Sequence, residues 1–129
     1  MKKQGKKFDQ GKIRITILPG IAIAEVMRVA EMGAKKYGDL NYKKGMPASK
    51  YINAAFRHVV LKWWFLGQDN DHESGLSHLA HGAWNILALC EQMMLKPEFD
   101  DRPKPNKHAG SSFESFLKEE NIKPKGKKK

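Results

Sequence analysis

Hydrophobic and polar positions follow two different periods along this chain. In KIRITIL, Ile13, Ile15 and Ile17 fall on one side and Lys12, Arg14 and Thr16 on the other, the period of a half-buried strand or extended arm. No partner strand is evident. From Ile21 to Tyr37 small and apolar residues recur at helical spacing, while Glu25, Arg28, Glu31 and Lys35 make a narrow polar stripe. Pro19 suits the entry to this helix and Gly38 its end. Residues 38–47, GDLNYKKGMP, read as a loop. Ser49 can then cap a second helix that runs to Leu66, with Gly67 just past it. A third helix is expected to start near Ser74 or a neighbouring loop acid and to run to about Leu95, ahead of Pro97. Ser111 and Glu114 have capping-box spacing before Phe113, Phe116 and Leu117, which predicts a short terminal helix.

These elements predict an all-α fold: a helical bundle of three long helices plus a short C-terminal helix, with a short extended N-terminal arm. The expected divisions are a basic arm over 1–12, a helical ligand-binding domain over 13–95, a linker over 96–110, a short helix over 111–122 and a basic tail over 123–129. Trp63, Trp64 and Phe65 stand side by side on the second helix and so point in different directions. They demand burial on more than one side, and self-association into a homo-oligomer is expected. On the third helix Leu76, Leu79, Ala83, Ile86, Leu87 and Cys90 form an apolar face. The opposite face carries His78, His81 and Asn85, with Ser74 before them and Gln92 after.

Composition adjusts this picture in two places. At 129 residues with 40% hydrophobic side chains, the chain has the size of one ordinary domain. Its net charge of +10 suggests polyanions, yet residues 13–99 hold 10 Lys/Arg against 8 Asp/Glu, so most of the excess lies at the two ends. Lysine-rich ends usually give solubility and weak polyanion attraction, and no helix or ribbon suited to groove reading is evident. Nucleic acid is therefore expected only weakly, through the tails. The one cysteine, Cys90, permits no internal disulfide and reads as a buried thiol. With no signal-like or membrane-spanning stretch, a cytoplasmic protein without a membrane partner is expected.

Some polar residues fall where an apolar helix would be expected. Asn53, Arg57, His58 and Lys62 form a polar arc on the second helix that contains no acid. Facing His78, His81 and Asn85, with DNDHE between them, this arc suits phosphate: arginine binds oxygens bidentately and lysine adds point charge. The loop acids could hold a divalent cation that bridges the same phosphates. A transition-metal site is the competing possibility, with His78 and His81 joined by His58, Asp71 or Glu73.

The blocks KFDQGKIRITILP, GAKKYGDLNY, AAFRHVVLKWW and DHESGLSHLAHGAWN, in this order, resemble the dATP/dGTP diphosphohydrolase-type N-terminal domain of phages and prophages, loosely grouped with MazG-like all-α nucleotide pyrophosphohydrolases. The resemblance covers about residues 6–95. It places Lys12, Lys36, Tyr37, Asn41, Arg57, His58, Asp71, Glu73, His78, His81 and Asn85 on motif positions, with Tyr42 where tryptophan is commoner. It implies cleavage of a deoxynucleoside triphosphate to monophosphate and pyrophosphate with Mg²⁺ or Mn²⁺. In that scheme Asp71 and Glu73 hold metal, His78 or His81 orients water or phosphate, and Arg57 with Lys62 stabilises the leaving group. MazG-like enzymes hold magnesium with paired Glu-x-x-Glu and Glu-x-x-Asp motifs, which this chain lacks; Glu25 and Glu31 are six apart, and Glu31 is spaced to pair with Lys35. The alternative keeps the pocket without the chemistry: a phage-encoded sponge that sequesters a nucleotide signal of host defence.

Overall fold

A computed structural model describes residues 2–103 together with Glu114, Leu117 and Lys118. The rest of the predicted linker, terminal helix and basic tail lies outside the described residues. Three helices carry the fold: α1 (Gly20–Tyr37), α2 (Ala48–Phe56) and α3 (His78–Leu95). Short 3₁₀ turns occupy Ile15–Ile17, Asn41–Lys44 and Pro97–Phe99. α2 passes directly into a π-helical stretch, Arg57–Phe65, so the second helix reaches the expected length in two geometries.

The alternating KIRITIL segment is not a strand. Ile15–Ile17 coils into a 3₁₀ turn, and Ile13, Ile15 and Ile17 are all exposed. A strand needs a neighbour for its backbone groups, and among the described residues the only ladder contact is an isolated bridge between Asn70 and Ser77.

Helix ends follow local chemistry, though not always at the residues expected. Gly38, at φ 96°, closes α1 by donating its N–H to the Ala34 carbonyl at 2.8 Å. Pro47, not Ser49, precedes the first turn of α2. Ser49 instead donates its N–H to Asp101 Oδ1 at 2.9 Å and its hydroxyl to the other carboxylate oxygen. α3 starts later than expected because Ser77 is its cap, accepting from the Ala80 N–H at 3.2 Å. Glu25 of α1 accepts the Ser77 N–H at 3.1 Å, which ties the start of α3 to the middle of α1.

The core is small. Val26 and Val29 of α1 pack on Ala80 of α3, flanked by Leu76 and Trp84. The second helix meets α3 at Gly82, where an added Cβ would collide with Val59 of the π-helical stretch. The 38–47 loop is clamped from the far end of α3: the buried Gln92 amide accepts the Met46 N–H at 3.0 Å and donates to the Met46 carbonyl at 2.8 Å. Phe99 rests on Gly45, whose φ of 90° and missing Cβ both suit the contact.

α3 turns its imidazole face inward and its apolar face outward, and Cys90, expected as a buried thiol, goes with the apolar face. His78 and His81 are buried, while Leu79, Ile86 and Leu87 are 43%, 47% and 52% exposed and Cys90 is exposed too. The polar face points inward because α1, α2 and the 69–77 loop offer it charged and hydrogen-bonding partners. The apolar face, with Trp64, Phe65 and Leu66 at the end of the second helix, is left outward. Among the described residues nothing covers it.

Gly82 gives a direct check on this packing. Alanine is the better helix former by about 1 kcal/mol, so Gly33→Ala in α1, where nothing lies within 4 Å of a new Cβ, should not destabilise. Gly82→Ala should destabilise by about 1 to 3 kcal/mol through overpacking against Val59. Urea unfolding of the two variants measures the difference.

Candidate functional site

The Asp69–Ser77 connection is short and polar, and it folds on itself. Asp71 donates its N–H to the Leu76 carbonyl at 2.7 Å, Gly75 donates back to the Asp71 carbonyl at 2.8 Å, and His78 donates to the Asp69 carbonyl at 2.9 Å. Gly75 turns the chain at φ 73°. The Ser74 N–H donates to Asp71 Oδ2 at 2.8 Å, and the Leu76 N–H donates to Ser74 Oγ at 3.1 Å. The loop thus carries one carboxylate inward. Asp71 is 9% exposed, while His72 and Glu73 stay at the surface.

Three imidazoles surround that carboxylate. His58 enters from the first turn of the π-helical stretch, and His78 and His81 from the first turn of α3. His58 Nδ1 and His78 Nδ1 are 2.9 Å apart, and the His58 and His81 rings stack at 4.4 Å between centroids. His81 Nε2 shares a hydrogen bond with Ser74 Oγ at 2.8 Å. Asp71 Oδ1 stands 4.0 Å from His58 Nδ1, and Oδ2 stands 4.0 Å from His81 Nε2. His78 is wholly enclosed, and its Nε2 has no partner among the described residues.

This environment keeps His58 and His81 neutral. Burial pushes His58 down to about 4, helped by His81, His78 and Lys62 and opposed by Asp71. Burial also lowers His81, against the pull of Asp71. For Asp71 burial acts to raise the carboxyl, but hydrogen bonds from Ser74 and the two nearby imidazoles outweigh it, and the group stays below its ordinary value. The Asp71 carboxylate thus stands as an anion beside two neutral rings, His58 and His81.

A cleft of about 1000 Å³ opens beside the cluster, bounded by α1, the 38–47 loop, α2 and α3. His58, His81, Asp71 and Glu73 line it, as do Lys36, Lys50 and Arg57. Its aromatic wall is Tyr37, Tyr42, Tyr51 and Trp84, with Tyr42 and Trp84 meeting edge to face at 5.1 Å. Glu73 pairs with Lys36 at 3.2 Å on the exposed rim, and this hydrogen bond raises the lysine. Among the described residues neither Arg57 nor Lys50 has an acidic partner. Asn85 donates its amide to the His81 carbonyl at 2.8 Å, so its oxygen is the atom left for a ligand.

Of the residues expected from sequence, Lys36, Tyr37, Asn41, Arg57, His58, Asp71, Glu73, His81 and Asn85 all line this one cleft. His78 does not; it stands behind His58. Lys12 and Asn53 are exposed elsewhere, and Lys62, half-buried, is not in the lining. Lys62 stands near enough to His58 to help depress its ring but does not reach the cleft wall. Glu25 is used at the start of α3 and beside Arg28 rather than near the cleft. Lys50, Tyr51 and Trp84 were not expected; Lys50 lies seven positions before Arg57 and Trp84 three after His81, spacings that place each on its partner's face.

The expected metal pair, Asp71 with Glu73, does not converge, because Glu73 turns outward to Lys36. Magnesium favours a shell of oxygens, and this site does not assemble one. His58, Asp71 and His78 instead offer ligand atoms that lie within 4.8 Å of one another.

A family described as dATP/dGTP diphosphohydrolase, N-terminal, matches residues 2–102. One relative, named dATP/dGTP diphosphohydrolase, from Salmonella phage PMBT28, is 36% identical over 100 residues. The match covers 76% of this chain and 33% of the relative, so the chain spans about a third of that protein's length. No solved structure matches the chain.

Acid titration should read the imidazole cluster. His58 ionises near 6.5 when unfolded and at about 4 when folded, so the unfolded chain binds more protons between those values. Stability of chelator-treated protein should be complete above pH 6.5 and fall steadily toward pH 4, by about 2 kcal/mol after allowance for the partly wetted ring edge. The slope should flatten in His58→Asn. Denaturant midpoints across that range supply the measurement.

Proposed function

The chain belongs to the dATP/dGTP diphosphohydrolase N-terminal family, and from that premise we propose that its cleft binds a deoxynucleoside triphosphate for metal-dependent cleavage to monophosphate and pyrophosphate. The observation that carries this reading is the meeting of aromatic walls, unpaired cations and buried imidazoles in one cavity. A base has flat partners in Trp84, Tyr42 and Tyr37, stacking being favourable for any base. The phosphates have Arg57, whose planar fork fits two oxygens at once, and Lys50 as a point charge. The low value of His58 matters here: neutral rings accept or donate single hydrogen bonds, so the positive charge facing the phosphates comes from Arg57 and Lys50.

The attacking water belongs beside His81 Nδ1, since Nε2, on the Asp71 side, is engaged with Ser74 Oγ. His81, fixed by Ser74 and close to Asp71, is oriented to accept a hydrogen bond from such a water. Asp71 then stabilises the charge that would develop on the ring. No step is assigned to Asp71 and Glu73 as a magnesium pair, since they do not meet.

The second reading is sequestration without cleavage. It is favoured by one observation: Asp71 is the only buried acid among the described residues, a sparse supply for a hydrolase. The relative's printed name argues the other way.

We further propose that a second copy of the chain covers the outward face of α3 and the Trp64–Leu66 end, with the basic tails adding only weak attraction to nucleic acid. A monomer by light scattering at micromolar concentration would oppose this, and Leu87→Glu should shift the wild-type assembly toward monomer.

Titration of dATP and dGTP by calorimetry, followed by pyrophosphate assay with divalent metals, tests the main reading. Arg57→Ala should weaken binding at least tenfold with unchanged helical circular dichroism, consistent with the loss of a charge-assisted pair. Binding should also perturb Trp84 fluorescence. Pyrophosphate release supports cleavage, tight binding with intact recovered nucleotide supports sequestration, and neither outcome across all natural triphosphates removes both readings.

A further inference from the structure

His78 has a costly address. It is the largest side chain wholly enclosed in the described structure, at a helix position where leucine would pack without any polar cost. Buried polar atoms are nearly always partnered, yet the one polar contact that His78 makes is to another imidazole, Nδ1 to Nδ1 at 2.9 Å. Two such atoms can share a single proton, or both can direct lone pairs at one ion.

We infer that His58, Asp71 and His78 form a binding site for a first-row transition-metal dication, with zinc, cobalt and manganese as its class and magnesium excluded by the donor set. Metal–ligand bonds near 2.1 Å place neighbouring ligand atoms about 3 to 3.5 Å apart. The 2.9 Å between the two Nδ1 atoms and the 4.0 Å from His58 Nδ1 to Asp71 Oδ1 bracket that spacing, so a small side-chain adjustment closes the triad. Two imidazoles and one carboxylate suit a borderline ion, whereas magnesium retains oxygen ligands and water.

The surroundings agree with this assignment. Asp71 has one oxygen held by the Ser74 N–H and the other turned toward His58, the division of labour common to ligating carboxylates. His81, bound to Ser74, braces the same loop from outside the triad. Burial holds His58 in the neutral form that a metal requires. His58 and Asp71 also line the cleft, which gives an ion its route in and leaves its remaining positions open to water or a phosphate oxygen.

The ligands come from three separate places in the chain: the first π turn, the loop and the first turn of α3. A bound ion would cross-link them, and binding to the folded state alone would raise stability.

The test uses the metal alone on tag-free, full-length protein stripped with EDTA, so it can succeed or fail whatever the nucleotide experiments give. Calorimetry with Zn²⁺, Co²⁺ and Mn²⁺ should show one ion per chain, with Zn²⁺ or Co²⁺ binding below about 10 μM and Mg²⁺ at least 100-fold weaker. Co²⁺ should develop visible absorption that Zn²⁺ displaces. His58→Asn, a change at a partly exposed ring, should lose at least 100-fold in affinity while keeping its circular dichroism, and Asp71→Asn should do likewise. Glu73→Gln should stay within about twofold. Should Asp71→Asn unfold, the His58 variant and the Co²⁺ spectrum still decide. Equal binding by wild type and His58→Asn, equal preference for Mg²⁺, or no saturable binding would each overturn the site.

Discussion

A single carboxylate organises the middle of this molecule. Asp71 is brought inward by a loop that closes on its own backbone, and one of its oxygens is already taken by the Ser74 N–H before any helix arrives. The other faces His58, and His81, its ring stacked on that of His58, stands as close to the first. A buried negative charge is expensive unless it is hydrogen-bonded and faced by groups that can respond to it. That requirement explains why the inner turns of two helices carry histidines where a bundle of this size would otherwise hold aliphatic side chains. It also accounts for the late start of α3, since its cap must leave room for the loop that delivers Asp71.

The helical plan was legible from sequence to a useful degree. α1, the loop after it, the extent of the second helix and the end of α3 follow from period, glycine and proline, because those signals act on the backbone itself. The exposure of the apolar face of α3 did not follow. Leu79, Ile86, Leu87 and Cys90 have the spacing of a core stripe and stand outside it. A period says that two faces differ; which one is buried depends on what the neighbours present. Here the neighbours present Asp71, His58, Ser74 and Glu25, and imidazoles satisfy them where leucine could not.

The site was legible residue by residue more than as a geometry. Arg57, His58, His81 and Asn85 stood out because their types are rare on core-facing helix positions and they sit at helical spacings, and Asp71 as an acid of the loop between those helices. Lys62 and Asn53 share those properties and stay off the cleft wall, and the π-helical stretch from Arg57 was not foreseen. No single-sequence rule announces an i→i+5 ladder. Glu73 sits two residues beyond Asp71 in the same loop, and its carboxylate goes to Lys36 at the rim.

The bidentate grip of Gln92 on Met46 has an implication for how such a domain can diverge. The loop forming one rim of the cleft is anchored near the distal end of α3 by a side chain, Gln92, that does not itself line the cleft. Variation in the 39–44 stretch can therefore reshape the rim while the anchor keeps its ends in place. Ligand preference in related chains can drift by exchange of rim residues without rebuilding the scaffold, whereas a change at position 92 would unfasten the whole rim at once.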